Sequence, residues 1–487
     1  MDDIQHKQLS FSLDHVFFDG LLDKLGDHLQ KALIAISSDN YKDRCAQSCQ
    51  HQLVLIIYGG KVYSDFDEQA HYEDAMAVYN GKVLALGPLD EVRHCVYQMG
   101  FMATYYRLKS SEVVTPGFIE PHCHLVTSAV LQQLFHFGPF GFDGRTDKFM
   151  TDYNMSYVLR SVVYLDKALQ DTQWLLGYGL FSSLLMSDDV LDTHDVHNSL
   201  QTLSISRPVV IFDAQQPLAF ANRAALEQLY KYLVLNQVGL LKSKQDFFTT
   251  IAEQGGLKCE QLLWILEVLP VRQFQQLSTA LIQNIDDVLT HAKNQGITHL
   301  GYVDSHPVAL SLLSAYSQQQ PKVNLINATT TWINASCKCG FELGLTDTSK
   351  SIIDNSIALN IGYLGFDWVQ SYHGVQTLQL CQSLFNQGVN VCLQSGFPLL
   401  PLSPLKTAQQ ATSKEMEYAP LDKKRCLTRL QSLKSISSAA ASHLKISPQA
   451  GHLFVGGQAN YLVLSNDPLQ CSDVEMRHIQ VKHSSVS

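Results

Sequence analysis

Two histidines one residue apart, His122 and His124, end the apolar run that starts near Val113. Side chains of a strand alternate between faces, so the two imidazoles point one way and Cys123 points the other. Neutral imidazole is a preferred ligand of Zn²⁺ and similar ions. Two of them at the mouth of one strand supply half of a four-ligand site. An ion held there polarises a carbonyl and acidifies water, and a nearby carboxylate or imidazole must then handle the proton. Cys123, facing away, reads as a small buried side chain. The close cysteine pairs Cys45/Cys49 and Cys337/Cys339 lack the C-x-x-C spacing of a zinc knuckle.

The elements that must position these histidines are legible around them. Pro116-Gly117 is a turn that delivers the chain into the histidine strand. Asn80-Gly81, between two apolar runs, supplies the positive φ values of a two-residue hairpin. Strands at both ends of the chain enclose a long middle of mixed strand and helix patterns. This points to an α/β protein: a TIM-like (β/α) barrel, complete or incomplete, beside a small β-sandwich built from both chain ends. The divisions fall at 1–50 (N-terminal extension), 51–110 (first part of the sandwich), 111–449 (barrel) and 450–487 (second part). Apolar residues at three- and four-residue steps predict helices over Ile285–Lys293, Thr377–Asn386 and Leu427–Leu444, with a helix-like patch from His15 to Ile36.

A chain of 487 residues with 46% hydrophobic content can fill one large barrel and a minor domain. Its formal net charge of -10 offers no field for nucleic acid, and its longest basic block is Lys423-Lys424-Arg425. No apolar run approaches the roughly 18 to 20 residues that cross a bilayer, and residues 1–30 lack a signal-peptide core. Eleven cysteines without an export signal read as free thiols. The expectation is a cytoplasmic protein that takes a small-molecule substrate and has neither a nucleic-acid nor a membrane partner. Composition leaves its oligomeric state open.

The stretch Thr115-Pro-Gly-Phe-Ile-Glu-Pro-His-Cys-His-Leu125 resembles the first barrel strand of amidohydrolase family 3, P-G-F-[IV]-[DE]-x-H-x-H. Leu53–Tyr63 and Met76–Gly87 are similar to that family's opening strands. Gly451–Leu469 is similar to its closing segment, and the resemblance runs from about residue 51 to 480. It implies a metal-dependent hydrolase acting on the C–N bond of a small amide or cyclic amide. His122 and His124 would hold a divalent ion, Zn²⁺ foremost. Glu120 occupies the family's Asp/Glu position, where it would orient the backbone or another histidine. Asp304 ends a stretch similar to G-[IV]-T-x-x-x-D, and His373 ends a stretch similar to an aromatic family segment; both are further site candidates. Trp174–Leu180 resembles the substrate-side turn, which gives Tyr178 and Phe181 as pocket residues.

The pattern also departs from the family. Gly388–Leu405 resembles the last-strand segment whose S-D-x-P aspartate handles the proton, and Gly396 stands in that aspartate's place. Pro217 stands at a position commonly held by histidine. No histidine occurs between Pro307 and Tyr372, where the barrel reads as shortened. No residue is therefore assigned as the catalytic acid or base. The alternative reading is a catalytically degenerate homologue with a binding or structural role.

Overall fold

The computed structural model describes residues 19–25, 53–66, 70–139, 150–317 with short gaps, 322–328, 356–359, 381–412 and 427–486, the last two ranges with single-residue gaps. The chain divides into two compact units. One comprises residues 1–35, 126–286 and 306–312, and the other residues 36–125, 287–305 and 313–487. Among the described residues no helix is long and apolar enough to cross a membrane.

The second unit opens on β1 (Leu53–Tyr63), β2 (Tyr72–Tyr79), β3 (Lys82–Gly87), β4 (Met102–Arg107) and β5 (Val113–Pro116). Asn80 and Gly81 join β2 to β3 with φ values of 49° and 73°, the left-handed pair that a twisted hairpin requires. After β5 a single residue, Gly117, leads into β6 (Phe118–Cys123). A β-carbon on Gly117 would lie 2.2 Å from Oγ1 of Thr298, so only glycine lets the backbone pass that close.

Beyond Leu125 the chain builds the first unit. Its sheet holds β7 (Phe135–His136), β8 (Leu175–Leu180), β9 (Val209–Asp213), β10 (Leu218–Ala221) and β11 (Leu257–Lys258), in the order β11-β10-β9-β8-β7. β7, β8 and β9 run parallel, while β10 and β11 turn back antiparallel. Two polar side chains fasten helices to this sheet. Asn222 caps the helix Arg223–Leu235 by accepting from the Ala225 N–H, accepts from the Val209 N–H as well, and donates to the Arg207 carbonyl. The buried Arg207 guanidinium pairs with Asp166 at 2.7 Å. It also donates to the carbonyls of Asp166, Leu169, Gln170 and Gln173, at the end of the helix Met155–Ala168 and just after it.

The chain then re-enters the second unit. It adds β12 (Ile297–Tyr302), β13 (Asn324–Asn327), β14 (Ser356–Leu359), β15 (Asn390–Leu393), β16 (Tyr461–Leu464) and β17 (Val481–Ser484). β12 pairs parallel with both β6 and β13, β14 pairs parallel with β15, and a parallel bridge between Cys123 and Phe397 joins the exits of β6 and β15. The result is an arc of parallel strands, β13-β12-β6-β15-β14. Among the described residues these strands do not close into a barrel. The strands of the two chain ends, expected to build one small β-sandwich together, are joined by hydrogen bonding into one seven-stranded sheet, β17-β16-β5-β1-β2-β3, with β4 also paired to β1.

One apolar core gathers Tyr63, Phe118, Leu393, Leu433 and Leu462, side chains of this kind each contributing about 1.5 to 3 kcal/mol when fully buried. Lys61 and Tyr63 both reach Asp467, at 2.8 and 2.9 Å, tying the start of the chain to its closing segment. The predicted helix Ile285–Lys293 lies within the helix Leu281–Asn294. The continuous helix predicted over Leu427–Leu444 is two helices, Arg429–Ser435 and Ser438–His443. The break has a tertiary cause. The Ile436 carbonyl accepts the N–H of Ile119 in β6 at 2.8 Å, and Ser437 leaves helical geometry with ψ -101°.

Candidate metal site at the ends of parallel strands

His122 closes β6 on one side of Cys123, and His124 follows on the other. Both are buried, at 6% and 4% exposure. Their Nε2 atoms lie 3.3 Å apart, with ring planes at 71°. Two nitrogens bound at 2.0–2.1 Å to one tetrahedral ion are held about 3.3 Å from each other, so this pair fits two corners of a zinc site. Burial foremost, and then the nearby His443, push His122 down to about 3, which keeps the ring neutral at pH 7, the form that binds a metal. Among the described residues no group of three or more His, Cys, Asp or Glu side chains converges as a metal centre.

Three strand ends surround the pair. From β6 comes Glu120, whose carboxylate accepts from the His122 N–H at 3.1 Å, the Ser395 N–H at 3.2 Å and the Ser395 hydroxyl at 2.8 Å. Burial raises Glu120 to about 7 against the lowering effect of those bonds. After β12 comes Asp304. This site candidate is buried, and it accepts the Leu125 N–H at 2.9 Å where the helix Leu125–Leu131 begins, one residue past His124. After β15 comes Ser395-Gly396-Phe397. The Phe397 carbonyl accepts the His124 N–H at 2.9 Å, so the turn that contains Gly396 is held against the backbone of the histidine pair. Gly396 has φ +57°, a left-handed conformation that glycine adopts freely.

Cys123 is fully buried. Burial, reinforced by Glu120 and Asp304, holds its thiol well above the ordinary range, so it offers no thiolate for binding or attack. His299, in β12, has its ring engaged by Thr298 and Asn324. Tyr178 and Phe181 belong to the other unit, and both are buried. The Tyr178 ring lies 5.1 Å from that of His136, and the Phe181 N–H donates to the Tyr153 hydroxyl. A cavity of about 390 Å³ in that unit is lined by His136, Tyr157, Arg160, Ser161 and Tyr164 among others. His306, also in that unit, meets Asp23 at 3.0 Å. His373, Pro217 and the cysteine pairs 45/49 and 337/339 lie outside the described residues.

Two groups went unnoticed in the sequence. Ser395 could have been found from its place in the S-D-x-P-like segment. Asp213 carried no such signal; it is a buried carboxylate ending β9 that accepts the Ser182 N–H at 3.3 Å.

Residues 351–487 match the amidohydrolase family. A stretch of 106 residues is 31% identical to an N-substituted formamide deformylase of Arthrobacter pascens, covering 22% of this chain. The match spans only 20% of that curated relative's length. In fold the chain is similar to an uncharacterized metal-dependent hydrolase from Pyrococcus horikoshii OT3, with 15% identity and a TM-score of 0.55 over 86% of this chain and 99% of that one. It is also similar to an uncharacterized metal-dependent hydrolase from Pyrococcus furiosus, with 13% identity and a TM-score of 0.52 over 86% of this chain and 100% of that one. The matched segment supplies β14 to β17 and is similar to the amidohydrolase family, and the Cys123–Phe397 bridge joins the histidine strand β6 to it.

Proposed function

We propose that the protein is a metal-dependent hydrolase of C–N bonds in a small amide or cyclic amide, with His122 and His124 holding a divalent ion, Zn²⁺ foremost. The observation that carries this reading is the 3.3 Å separation of two buried imidazole nitrogens at the C-terminal end of a parallel strand, where such folds place their chemistry. A bound ion would supply Lewis acidity toward the scissile carbonyl and acidify water. The chain's own residues prepare that place. Burial holds His122 in the unprotonated form, Glu120 joins the ends of β6 and β15, and Asp304 fixes the chain just after His124. N-substituted formamides enter the substrate panel through the Arthrobacter pascens relative.

The degenerate-homologue reading is favoured by one observation. Gly396, which has no side chain, lies in the turn held against the backbone of the histidine pair, where the resemblance calls for the proton-handling aspartate. Zinc content by mass spectrometry, with turnover of N-substituted formamides, N-acyl amino acids and cyclic amides, separates the two. Bound zinc and turnover, both lost in His122→Ala, support the hydrolase. Bound zinc without turnover supports the degenerate homologue, and no bound metal removes the metal-dependent reading.

A further inference from the structure

We propose that Glu120 and Ser395 are a positioning pair that sets the backbone of His122 and His124 so that their Nε2 atoms meet at metal-sharing distance. The inference rests on the metal-site reading above. β6 and β15 carry the two chain segments concerned, and past the Cys123–Phe397 bridge they have no regular ladder between them. The Glu120 carboxylate takes the place of that ladder. It accepts the His122 N–H at 3.1 Å on Oε1, the Ser395 hydroxyl at 2.8 Å on Oε2, and the Ser395 N–H at 3.2 Å from each oxygen.

Ser395 has a second task, because its Oγ accepts the Phe397 N–H at 3.2 Å and so folds the chain tightly around Gly396. That turn places the Phe397 carbonyl where it accepts the His124 N–H at 2.9 Å. The backbone N–H of each histidine is therefore held, one by Glu120 directly and the other by the turn that Ser395 shapes. A buried carboxylate costs free energy unless hydrogen bonds satisfy it. Here the donors that satisfy it come from the two segments that must be held in register, which fits a role in fixing His122 and His124 relative to each other. Groups that orient metal ligands in this way commonly change metal affinity 10- to 100-fold when removed.

The test uses the full chain as wild type, Ser395→Ala, Ser395→Thr and Glu120→Gln. Zinc affinity is measured by chelator competition. Alongside it, ¹⁵N-histidine spectra of the metal-free proteins report the His122 and His124 rings, assigned through His122→Ala and His124→Ala. The expected result is zinc affinity weakened about 10- to 100-fold in Ser395→Ala and Glu120→Gln, with both ring signals shifted. Ser395→Thr, which keeps the hydroxyl, should stay near wild type in both readouts. A fall in melting temperature with unchanged zinc affinity and unchanged ring signals would show a merely structural role and overturn the proposal. If the wild type binds no zinc, the hydrolase reading fails by itself. The metal-free spectra then still decide the positioning role, since ring signals of Ser395→Ala identical to wild type overturn it.

Discussion

Acid should destabilise this protein by an amount that His299 makes calculable. The ring is buried in β12 at 5% exposure with both nitrogens engaged, and burial pushes it from 6.5 to about 4. Below pH 6.5 the unfolded chain takes a proton that the folded chain refuses, so stability falls as pH drops from 6.5 to 4 and levels off beneath. Above 6.5 the effect is absent. A gap of about 2.5 units corresponds to roughly 3 kcal/mol. His443, pushed by burial to about 4, acts in the same direction. Glu120 acts in the other: its folded value near 7 exceeds the usual 4.5, so its contribution is present at low pH and is lost as pH rises through 7. The raw pH profile mixes these, and the clean quantity is the difference between wild type and His299→Gln. Urea unfolding at pH 7, 6, 5 and 4, followed by circular dichroism, should show the wild type losing roughly 3 kcal/mol relative to the variant across that range. A difference that stays constant, or that moves in favour of the wild type in acid, would refute the buried, neutral imidazole.

Three further outcomes follow from named contacts. Gly396→Asp should fold at a cost of roughly 1 kcal/mol, because aspartate tolerates the left-handed φ of +57° better than most residues, and it should raise zinc retention or turnover; zinc analysis and the substrate panel check it, and no change in either speaks against Gly396 adjoining the ion. Arg207→Ala should cost roughly 3 to 5 kcal/mol, since it leaves the Asp166 carboxylate and four carbonyls without their buried donor; faster hydrogen exchange in the helix Met155–Ala168 is the readout. Asp467→Ala should cost roughly 2 kcal/mol by removing the acceptor of Lys61, Tyr63 and the Leu469 N–H, and should speed exchange in β1.

What could be read in the sequence was local. The H-x-H strand, the Pro116-Gly117 junction and the Asn80-Gly81 hairpin are each set by the residues themselves, through side-chain alternation and positive φ. Long-range partners could not be read that way. Nothing near Asp304 announces that it will accept the Leu125 N–H, and nothing near Arg207 marks the carbonyls it serves. The apolar period over Leu427–Leu444 is continuous, yet an N–H from β6 divides that helix in two. The division of the chain into two units and the open arc of parallel strands likewise depend on pairings between distant segments.

The seven-stranded sheet has a consequence in time. β5 lies between β1, made early in synthesis, and β16, made late, and the clip from Lys61 to Asp467 joins residues 406 positions apart. At the ordinary ribosomal pace of about 5 to 20 residues per second, the partner of Lys61 emerges roughly 20 to 80 s after Lys61 itself. From its own emergence until β16 is made, the Val113–Pro116 strand has an unpaired edge of the kind that recruits other chains. The nascent protein is therefore most exposed to mispairing while His122 and His124 are already made and its sheet is still open.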